Sequence, residues 1–327
     1  MADYKTIKGT KIQNYTTDPD NPLTGQVWYN ETDQVLKTFY FDSGSWSTGG
    51  DLNTARIYSA GAGTQTSALA TGGFVPPYSA VTESYNGTSW TEVNDLNTAR
   101  GFIAAAGTDN TSALAFGGFS SGPPPIRYAE TESWNGTSWT EVNDLNTARN
   151  GLAGAGTQTS ALGFGGFAPA GNTALTESWN GTSWTELNDL NTARYRLAGV
   201  GTQTDALGFG GDDGGTPPAT ELTESWNGTS WTEVNDLNTA RFLLAGVGTQ
   251  TAALAFGGNV DPPITAATES WNGTSWTEVN DLNIARQALA GAGTQTAALA
   301  FGGSVPPITA ATEEWNVGSF TKTITSS

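Results

Sequence analysis

One hexapeptide recurs six times along the chain and sets the period of everything that follows. DLNTAR, once DLNIAR, ends at Arg56, Arg100, Arg149, Arg194, Arg241 and Arg286, with successive spacings of 44, 49, 45, 47 and 45 residues. Each copy is followed by a Gly-Gly pair and then by a segment similar to TESWNGTSWTEVN. A period of this length predicts a repeat architecture in which each copy is one structural unit.

The repeat between Arg100 and Asn143 divides into four short segments that alternate with turn residues. GFIAAAG, TSALAFGG, AETESWN and SWTEV predict strands a, b, c and d, and Asn135-Gly136 is typical of a tight hairpin. Glycine and alanine dominate strand a, as expected where units crowd around an axis. Four strands per repeat predict an all-β propeller with one blade per repeat.

These residues resemble the kelch family, in which an Arg opens strand a, a double Gly follows strand b, an aromatic lies in strand c and a Trp in strand d. Arg56, Gly72, Gly73, Tyr85 and Trp90 carry the resemblance, which repeats six times over residues 51 to 324. It implies a kelch-type β-propeller. The repeats are bounded at about 51–94, 95–143, 144–188, 189–235, 236–280 and 281–324, within a propeller segment of 51–327.

The first fifty residues differ from the repeats but end in a segment similar to strand d. Aromatic residues at the strand d position are Trp46, Trp90, Trp139, Trp184, Trp231, Trp276 and Phe320. QVWYN, VLKTFYF and GSWST predict a β-meander over 1–50, to which KIQNY adds a fourth strand. Seven positions favour seven blades, six regular and one degenerate. The alternative is six blades beside a separate N-terminal adaptor.

Composition excludes several classes of function. A net charge of −18 makes attraction to nucleic acid unfavourable. No apolar run approaches the roughly 18 residues that span a bilayer, so we expect no membrane insertion, and the start of the chain has no signal-peptide pattern. The absence of His and Cys excludes serine-histidine triads, thiol nucleophiles and the usual zinc or copper sites.

We therefore expect no enzyme activity, no cofactor and no metal. Kelch relatives that resemble galactose oxidase need His and Cys, and the hairpin SWNGTSW resembles a sialidase hairpin that is structural even there. A sialidase-like glycoside hydrolase stays as a remote alternative. Asp212-Asp213-Gly214-Gly215 and Asp18-Pro19-Asp20 contain calcium-ligand chemistry without EF-hand spacing, which favours solvated loops.

Each repeat also carries one Arg and one Glu at fixed positions. The arginine that ends each hexapeptide matches a glutamate in the TE sequence of strand c, which predicts buried ion pairs that stabilise the blades. The alternative is a ring of charges that binds a ligand or ion. The pairs expected most clearly are formed by Arg100, Arg149, Arg194, Arg241 and by Glu132, Glu177, Glu224, Glu269.

Two regions vary between the copies: the loop from strand b to strand c, and the two residues after each hexapeptide Arg. In a four-stranded up-and-down blade both lie at the same end, so we expect them to share one face of the disc. Tyr and Arg are enriched among the residues that dominate binding energy. The predicted binding face contains Tyr58, Tyr78, Phe102, Arg127, Tyr128, Tyr195, Arg196 and Phe242. The alternative is neutral drift in loops.

DPDNPLTGQVWYNETDQVLK resembles an N-terminal module of tail and fibre proteins of marine tailed phages, and AGAGTQTSALGFGG resembles kelch arrays of such phages. This resemblance implies a non-enzymatic virion structural protein, made in the host cytoplasm. Its N-terminal segment would contact other virion proteins, and its propeller would bind a host-surface glycan or protein. The alternative is a bacterial lectin-like or protein-interaction module outside a virion.

Overall fold

The computed structural model describes residues 12–20, 26–41 and 43–324, and no helix occurs among them. Two compact units divide the chain. The first combines Met1–Gly44 with Asn316–Ser327, and the second, the propeller unit, is Ser45–Trp315. The start of KIQNY at Lys11 lies outside the described residues.

Short strands account for the regular structure. Before the first repeat they are β1 (Gln13–Tyr15), β2 (Val27–Asn30), β3 (Val35–Phe41) and β4 (Ser45–Thr48). The first three repeats contain β5 (Ala60–Thr64), β6 (Ser67–Thr71), β7 (Thr82–Tyr85), β8 (Trp90–Val93), β9 (Ala104–Asp109), β10 (Ser112–Phe116), β11 (Phe119–Ser120), β12 (Ile126–Arg127), β13 (Thr131–Trp134), β14 (Trp139–Val142), β15 (Ala153–Thr157), β16 (Ser160–Phe164), β17 (Phe167–Ala168), β18 (Gly171–Asn172), β19 (Thr176–Trp179) and β20 (Trp184–Glu186). The rest of the chain contains β21 (Ala198–Gly201), β22 (Ala206–Phe209), β23 (Thr223–Trp226), β24 (Trp231–Glu233), β25 (Ala245–Thr249), β26 (Ala252–Phe256), β27 (Thr268–Trp271), β28 (Trp276–Val279), β29 (Ala290–Gly293), β30 (Ala297–Phe301), β31 (Thr312–Asn316) and β32 (Ser319–Ile324).

Six antiparallel four-stranded sheets form the blades of the propeller unit. With the strands of each blade given from the axis outward, they are blade 1 (β5-β6-β7-β8), blade 2 (β9-β10-β13-β14), blade 3 (β15-β16-β19-β20), blade 4 (β21-β22-β23-β24), blade 5 (β25-β26-β27-β28) and blade 6 (β29-β30-β31-β4). The innermost strand of each blade contacts that of the next, and β29 contacts β5, so six blades close the ring. The all-β propeller predicted from the sequence is confirmed.

Seven four-stranded sheets are present, as the count of seven aromatic positions suggested, but the seventh is not a blade of the ring. It belongs to the first unit, with strand order β1-β2-β3-β32. β1 runs parallel to β2, and β3 pairs antiparallel with β32 from Leu36 opposite Ile324 to Phe41 opposite Ser319. Six of the seven four-stranded sheets therefore close the ring, and the seventh belongs to the first unit.

Six blades can close the ring because β4, the GSWST strand that we had placed in the N-terminal meander, completes blade 6. Blade 6 has no strand d of its own after β31, so its outer edge would be left unpaired. β4 fills that position, and Trp46 is buried against Phe256 and Trp315, with ring centroids 4.9 and 5.4 Å away. The position beside β3 is taken by β32, the strand of Phe320.

A buried ion pair fixes the hexapeptide to the blade that it opens. All six hexapeptide arginines are fully buried, and each lies 2.6 to 3.2 Å from a glutamate of strand c in the blade that the hexapeptide opens. The Asn of the hexapeptide adds main-chain and side-chain donors to the same carboxylate, as between Asn146 and Glu177 at 2.7 and 2.8 Å. A buried charge needs such partners, which explains why these residues recur together.

Glycines of the innermost strands allow the blades to approach closely at the axis. A Cβ on Gly61 would lie 2.3 Å from the carbonyl oxygen of Gly291, and one on Gly246 would lie 2.4 Å from Cζ of Phe209. Neither position has room for a larger residue. The Gly-rich strand a of the repeats is thus a packing requirement of the ring.

Candidate functional site: an arginine–aromatic cleft on the variable face

The two variable regions of the repeat meet through backbone pairing. In every blade the residue after the hexapeptide Arg forms a β-bridge with the residue after the Gly-Gly pair. These bridges are Ile57 with Phe74, Gly101 with Phe119, Asn150 with Phe167, Tyr195 with Asp212, Phe242 with Asn259, and Gln287 with Ser304. We call the end of the propeller unit that carries these bridges the variable face.

A ring of six residues, the collar, lies at the centre of the variable face. Its members are Tyr58, Phe102, Gly151, Arg196, Leu243 and Ala288, one from each blade. All have φ between 53° and 62°, and each donates its backbone N–H to the carbonyl of the preceding member at 2.7 to 3.1 Å. Only one member is glycine, so the closed ring of hydrogen bonds holds five side-chain residues in a left-handed conformation that they rarely adopt.

Two arginines alternate with aromatic rings beside the collar. The guanidinium carbon of Arg127 lies 4.8 Å from the ring centroid of Phe167, and that of Arg196 lies 4.5 Å from the centroid of Tyr195. The Phe167 and Tyr195 rings are themselves 5.4 Å apart. The electron-rich faces of the rings attract the cations, and this attraction favours the side-chain positions seen here.

These side chains surround a cleft of about 210 Å³, which we call the arginine–aromatic cleft. Its walls are Phe102, Phe119, Arg127, Asn150, Phe167, Tyr195 and Arg196. Asn150 is only 8% exposed, and its Oδ1 has no hydrogen-bond partner within the described part of the chain. The Nε atoms of Arg127 and Arg196 also have no partner there, a property that they share with the six hexapeptide arginines. Buried polar groups are normally paired, so the cleft offers one acceptor and two charged donors that a ligand can satisfy.

Tyr58 and Tyr195 keep their hydroxyl protons at neutral pH. Burial raises the pKa of Tyr58, and the charge of Arg196 offsets only part of that effect. Burial also raises the pKa of Tyr195; the charge of Arg196 lowers it in part, while the nearby carboxylate of Asp212 raises it further. Both phenols are therefore available as donors rather than as phenolates.

The structure brings together most of the residues predicted for the binding face. Phe102, Arg127, Tyr195 and Arg196 form walls of the cleft. Tyr58 stacks on Phe102 with centroids 3.6 Å apart, Tyr78 contacts Phe119 at 5.7 Å, and the buried Phe242 lies 5.9 Å from the Arg196 guanidinium.

Four of the predicted residues do not form walls of the cleft, namely Tyr58, Tyr78, Phe242 and Tyr128, and the Tyr128 hydroxyl has its own partner in a loop. That hydroxyl shares a hydrogen bond with Ser120 at 2.9 Å, within the loop of blade 2.

Sequence reasoning did not select Phe119, Asn150 and Phe167, although they form walls of the cleft. A signal was present: the residue after the Gly-Gly pair is Phe at positions 74, 119 and 167, but Asp, Asn or Ser at positions 212, 259 and 304. At this position, aromatic residues are thus confined to blades 1 to 3.

Other features proposed from the sequence have local partners. Asp212 and Asp213 accept the backbone N–H groups of Gly214 and Gly215, and Asp18 accepts hydrogen bonds from Trp28, Asn30 and Lys37. Across the residues that the structure describes, no cluster of three His, Cys, Asp or Glu has metal-binding geometry. The same residues contain no helix with the length and apolar character to cross a membrane.

Comparison with known proteins supports the fold. No protein-family model matches the chain, and no curated protein matches it. Among solved structures, the structure of YjhT matches with a TM-score of 0.67 at 12% sequence identity, over 84% of this chain and 99% of that chain. The shared feature is the propeller fold.

This match corrects one expectation from the sequence. We predicted that the chain is not an enzyme; the match with YjhT, a sialidase-like protein, contradicts that prediction, and at 12% identity what it shows of this chain is the fold alone. The prediction relied on the absence of His and Cys. That absence removes only the chemistries that need those residues, whereas glycoside hydrolysis uses carboxylates and, in sialidases, a tyrosine.

Proposed function

We propose that the propeller unit binds a surface glycan in the arginine–aromatic cleft. The observation that supports this function is that the two arginines of the variable face lie together with aromatic side chains in one part of it. The scaffold residues are nearly the same in all six repeats, yet Phe167 and the two arginines have no counterparts in blades 5 and 6 at the matching positions, and Tyr195 is matched only by Phe242 of blade 5. One specialised site on a sixfold scaffold is typical of ligand binding rather than of packing.

The shape of the cleft favours a sugar. At about 210 Å³ it is smaller than the roughly 300 to 1,000 Å³ that drug-sized ligands occupy, and it suits one ring-sized group. The face of a pyranose ring presents C–H groups, which pack favourably on the electron-rich faces of Phe167 and Tyr195. Asn150, Arg127 and Arg196 supply the polar partners that its hydroxyl groups need.

The kelch and phage resemblances extend this proposal to a biological setting. A tail, fibre or other appendage of a tailed phage needs a segment that attaches to the particle and a face that binds the host. The four-stranded sheet of the first unit would serve attachment to other virion proteins, and the variable face would serve binding. Neighbouring genes for portal, tail or baseplate proteins are the expected finding; a bacterial operon without them would favour a lectin-like module.

A glycan array with purified full-length protein tests the binding function. We expect binding to a restricted set of glycans, and at least a tenfold loss in F167A/Y195A, because both ring faces are removed. The matched control is Q287A/S304A, which changes the residue after the hexapeptide Arg and the residue after the Gly-Gly pair in blade 6. It should leave binding unchanged. Loss of binding in both double variants, or in neither, would place the ligand outside the cleft.

A second function, glycoside hydrolysis, is favoured by one specific contact. Tyr195 and Asp212 face each other across a β-bridge beside two arginines, and a tyrosine with a carboxylate partner is the nucleophile arrangement of sialidases. Because burial raises the pKa of Tyr195, attack would require transfer of its proton to Asp212. Release of methylumbelliferone from a panel of fluorogenic glycosides measures this activity. The Y195F variant should lose hydrolysis and keep glycan binding; hydrolysis that survives Y195F would exclude this role.

A further inference from the structure

The propeller unit has few cations, and their distribution is uneven. Residues 45–315 contain eight arginines and no lysine. Six of these arginines are the buried partners of strand c glutamates. The other two are Arg127 and Arg196, and both form walls of the same cleft. Within the described residues neither makes an ion pair with a carboxylate of the chain.

Such an arrangement leaves both cationic groups able to pair with an anion from outside the chain. The whole chain has a net charge of −18, and its surface has many carboxylates available to pair with an arginine. Both guanidinium groups are nevertheless held over aromatic rings, at 4.8 Å for Arg127 and 4.5 Å for Arg196, and away from those carboxylates. Aromatic faces position a guanidinium without neutralising its charge, so its N–H groups remain able to bind an oxyanion.

The polar atoms of the cleft without a partner restrict the chemical class of the ligand further. Nε of Arg127 and of Arg196 are donors, whereas Oδ1 of Asn150 is an acceptor. A simple anion would satisfy only the donors, and a neutral sugar would leave both charges without a counterion. A sugar that carries a carboxylate beside a hydroxyl group satisfies all three.

We propose that the arginine–aromatic cleft selects an acidic sugar, with its carboxylate held by Arg127 and Arg196 and a hydroxyl group donated to Asn150. This inference rests on the proposed glycan-binding function. The planar guanidinium matches a carboxylate in geometry as well as in charge, and such bonds are stronger than those between neutral groups. In a protein this acidic, the local positive charge is also what allows an anionic glycan to approach.

Calorimetric titration of the full chain with matched trisaccharides tests the inference. The three probes differ only at the terminal residue, which is glucuronate, glucose or glucose 6-sulfate. We expect glucuronate to bind at least tenfold more tightly than glucose at low ionic strength, and added salt to reduce the difference. In R127Q/R196Q this preference should disappear, whereas N150A should weaken both uronate and neutral ligands.

The outcomes separate the inference from the function on which it rests. Equal affinity for glucose and glucuronate, with binding still lost in F167A/Y195A, overturns the acidic-sugar inference and leaves glycan binding in place. Tighter binding of the sulfate ester than of glucuronate, with the same dependence on both arginines, overturns the assignment of a carboxylate as the group that the arginines bind. A preference for glucuronate that persists in R127Q/R196Q overturns the assigned residues. No binding of any trisaccharide, together with a blank glycan array, overturns both proposals.

Discussion

Trp46 donates its indole N–H to Oγ1 of Thr268 at 3.1 Å, across 222 residues of sequence. The contact is one of six equivalent bonds, in each of which the strand d Trp of one blade reaches the strand c Thr of the preceding blade. At Trp46 alone the donor comes from before the repeats. This bond therefore helps to close the ring.

Removal of that single bond should weaken the closure without creating a cavity. T268V keeps the shape of the side chain and removes the acceptor, so we expect a loss of about 1 to 3 kcal/mol in the free energy of unfolding, because a buried indole N–H is left unpaired. Urea denaturation measures it. T131V, which removes the equivalent partner of Trp184 inside the ring, is the matched control. If the junction between blades 5 and 6 is the weakest in the ring, the amide hydrogens of residues 45–48 exchange faster in T268V. They do not exchange faster in T131V.

The buried ion pairs should be costly to break from one side. E177Q leaves the charge of Arg149, which is fully buried, without its counterion at 3.0 Å. We expect a loss of about 3 to 5 kcal/mol in unfolding free energy. E186Q changes an exposed glutamate opposite Glu177 in the same ladder and should stay within about 0.5 kcal/mol of the parent. A similar small effect for both variants would mean that the pair does not stabilise the blade.

Blade 2 contains a carboxyl group where the other repeats have an apolar residue, and this substitution makes its stability depend on pH. Burial raises the pKa of Glu130 above its ordinary value of 4.5, and the charge of Arg100, 3.5 Å away, offsets only part of the effect. The folded protein thus holds this proton more tightly than the unfolded chain. The contribution of protonated Glu130 to stability is fully present below the ordinary pKa of glutamate. It is lost as pH rises through the higher pKa that Glu130 has in the folded protein.

E130L should therefore stabilise the protein at pH 7 by up to about 1 kcal/mol, and the gain should shrink as pH falls towards the ordinary pKa of glutamate. Thermal unfolding of E130L and the parent across this range measures the difference. E278Q, at an exposed position in blade 5, should show no comparable trend. A gain that grows as pH falls would contradict the assigned direction.

The glycines nearest the axis should not tolerate a methyl group. G246A would place Cβ 2.4 Å from the Phe209 ring, and such overpacking typically costs about 1 to 3 kcal/mol. In G122A the new Cβ would lie 3.9 Å from its neighbour, the Pro124 carbonyl, so this variant should be neutral. Chemical denaturation compares the two. Equal stability of both variants would show that the blades can shift to accommodate the methyl group.

Much of the fold could be predicted because each repeat is a local unit. The four strands of a blade lie close together in sequence, and their turns, Gly-Gly pairs and Trp positions recur at one period. The comparison of copies also located the regions that differ, including Tyr195, Arg196 and Arg127. What it missed was three of the seven walls of the cleft, Phe119, Asn150 and Phe167. Phe119 and Phe167 come from neighbouring repeats, and only the ring brings them together around one volume.

By itself, then, the sequence determined the blade, the number of regular repeats and the positions free to differ, since all three depend on residues within one period. Only the tertiary structure decided that six blades close the ring, with GSWST as the outer strand of blade 6 and β32 paired with β3. A strand d sequence fits the edge of any blade equally well. Such a strand pairs with the blade whose outer edge has no other strand. Which blade that is depends on contacts between residues more than 200 positions apart.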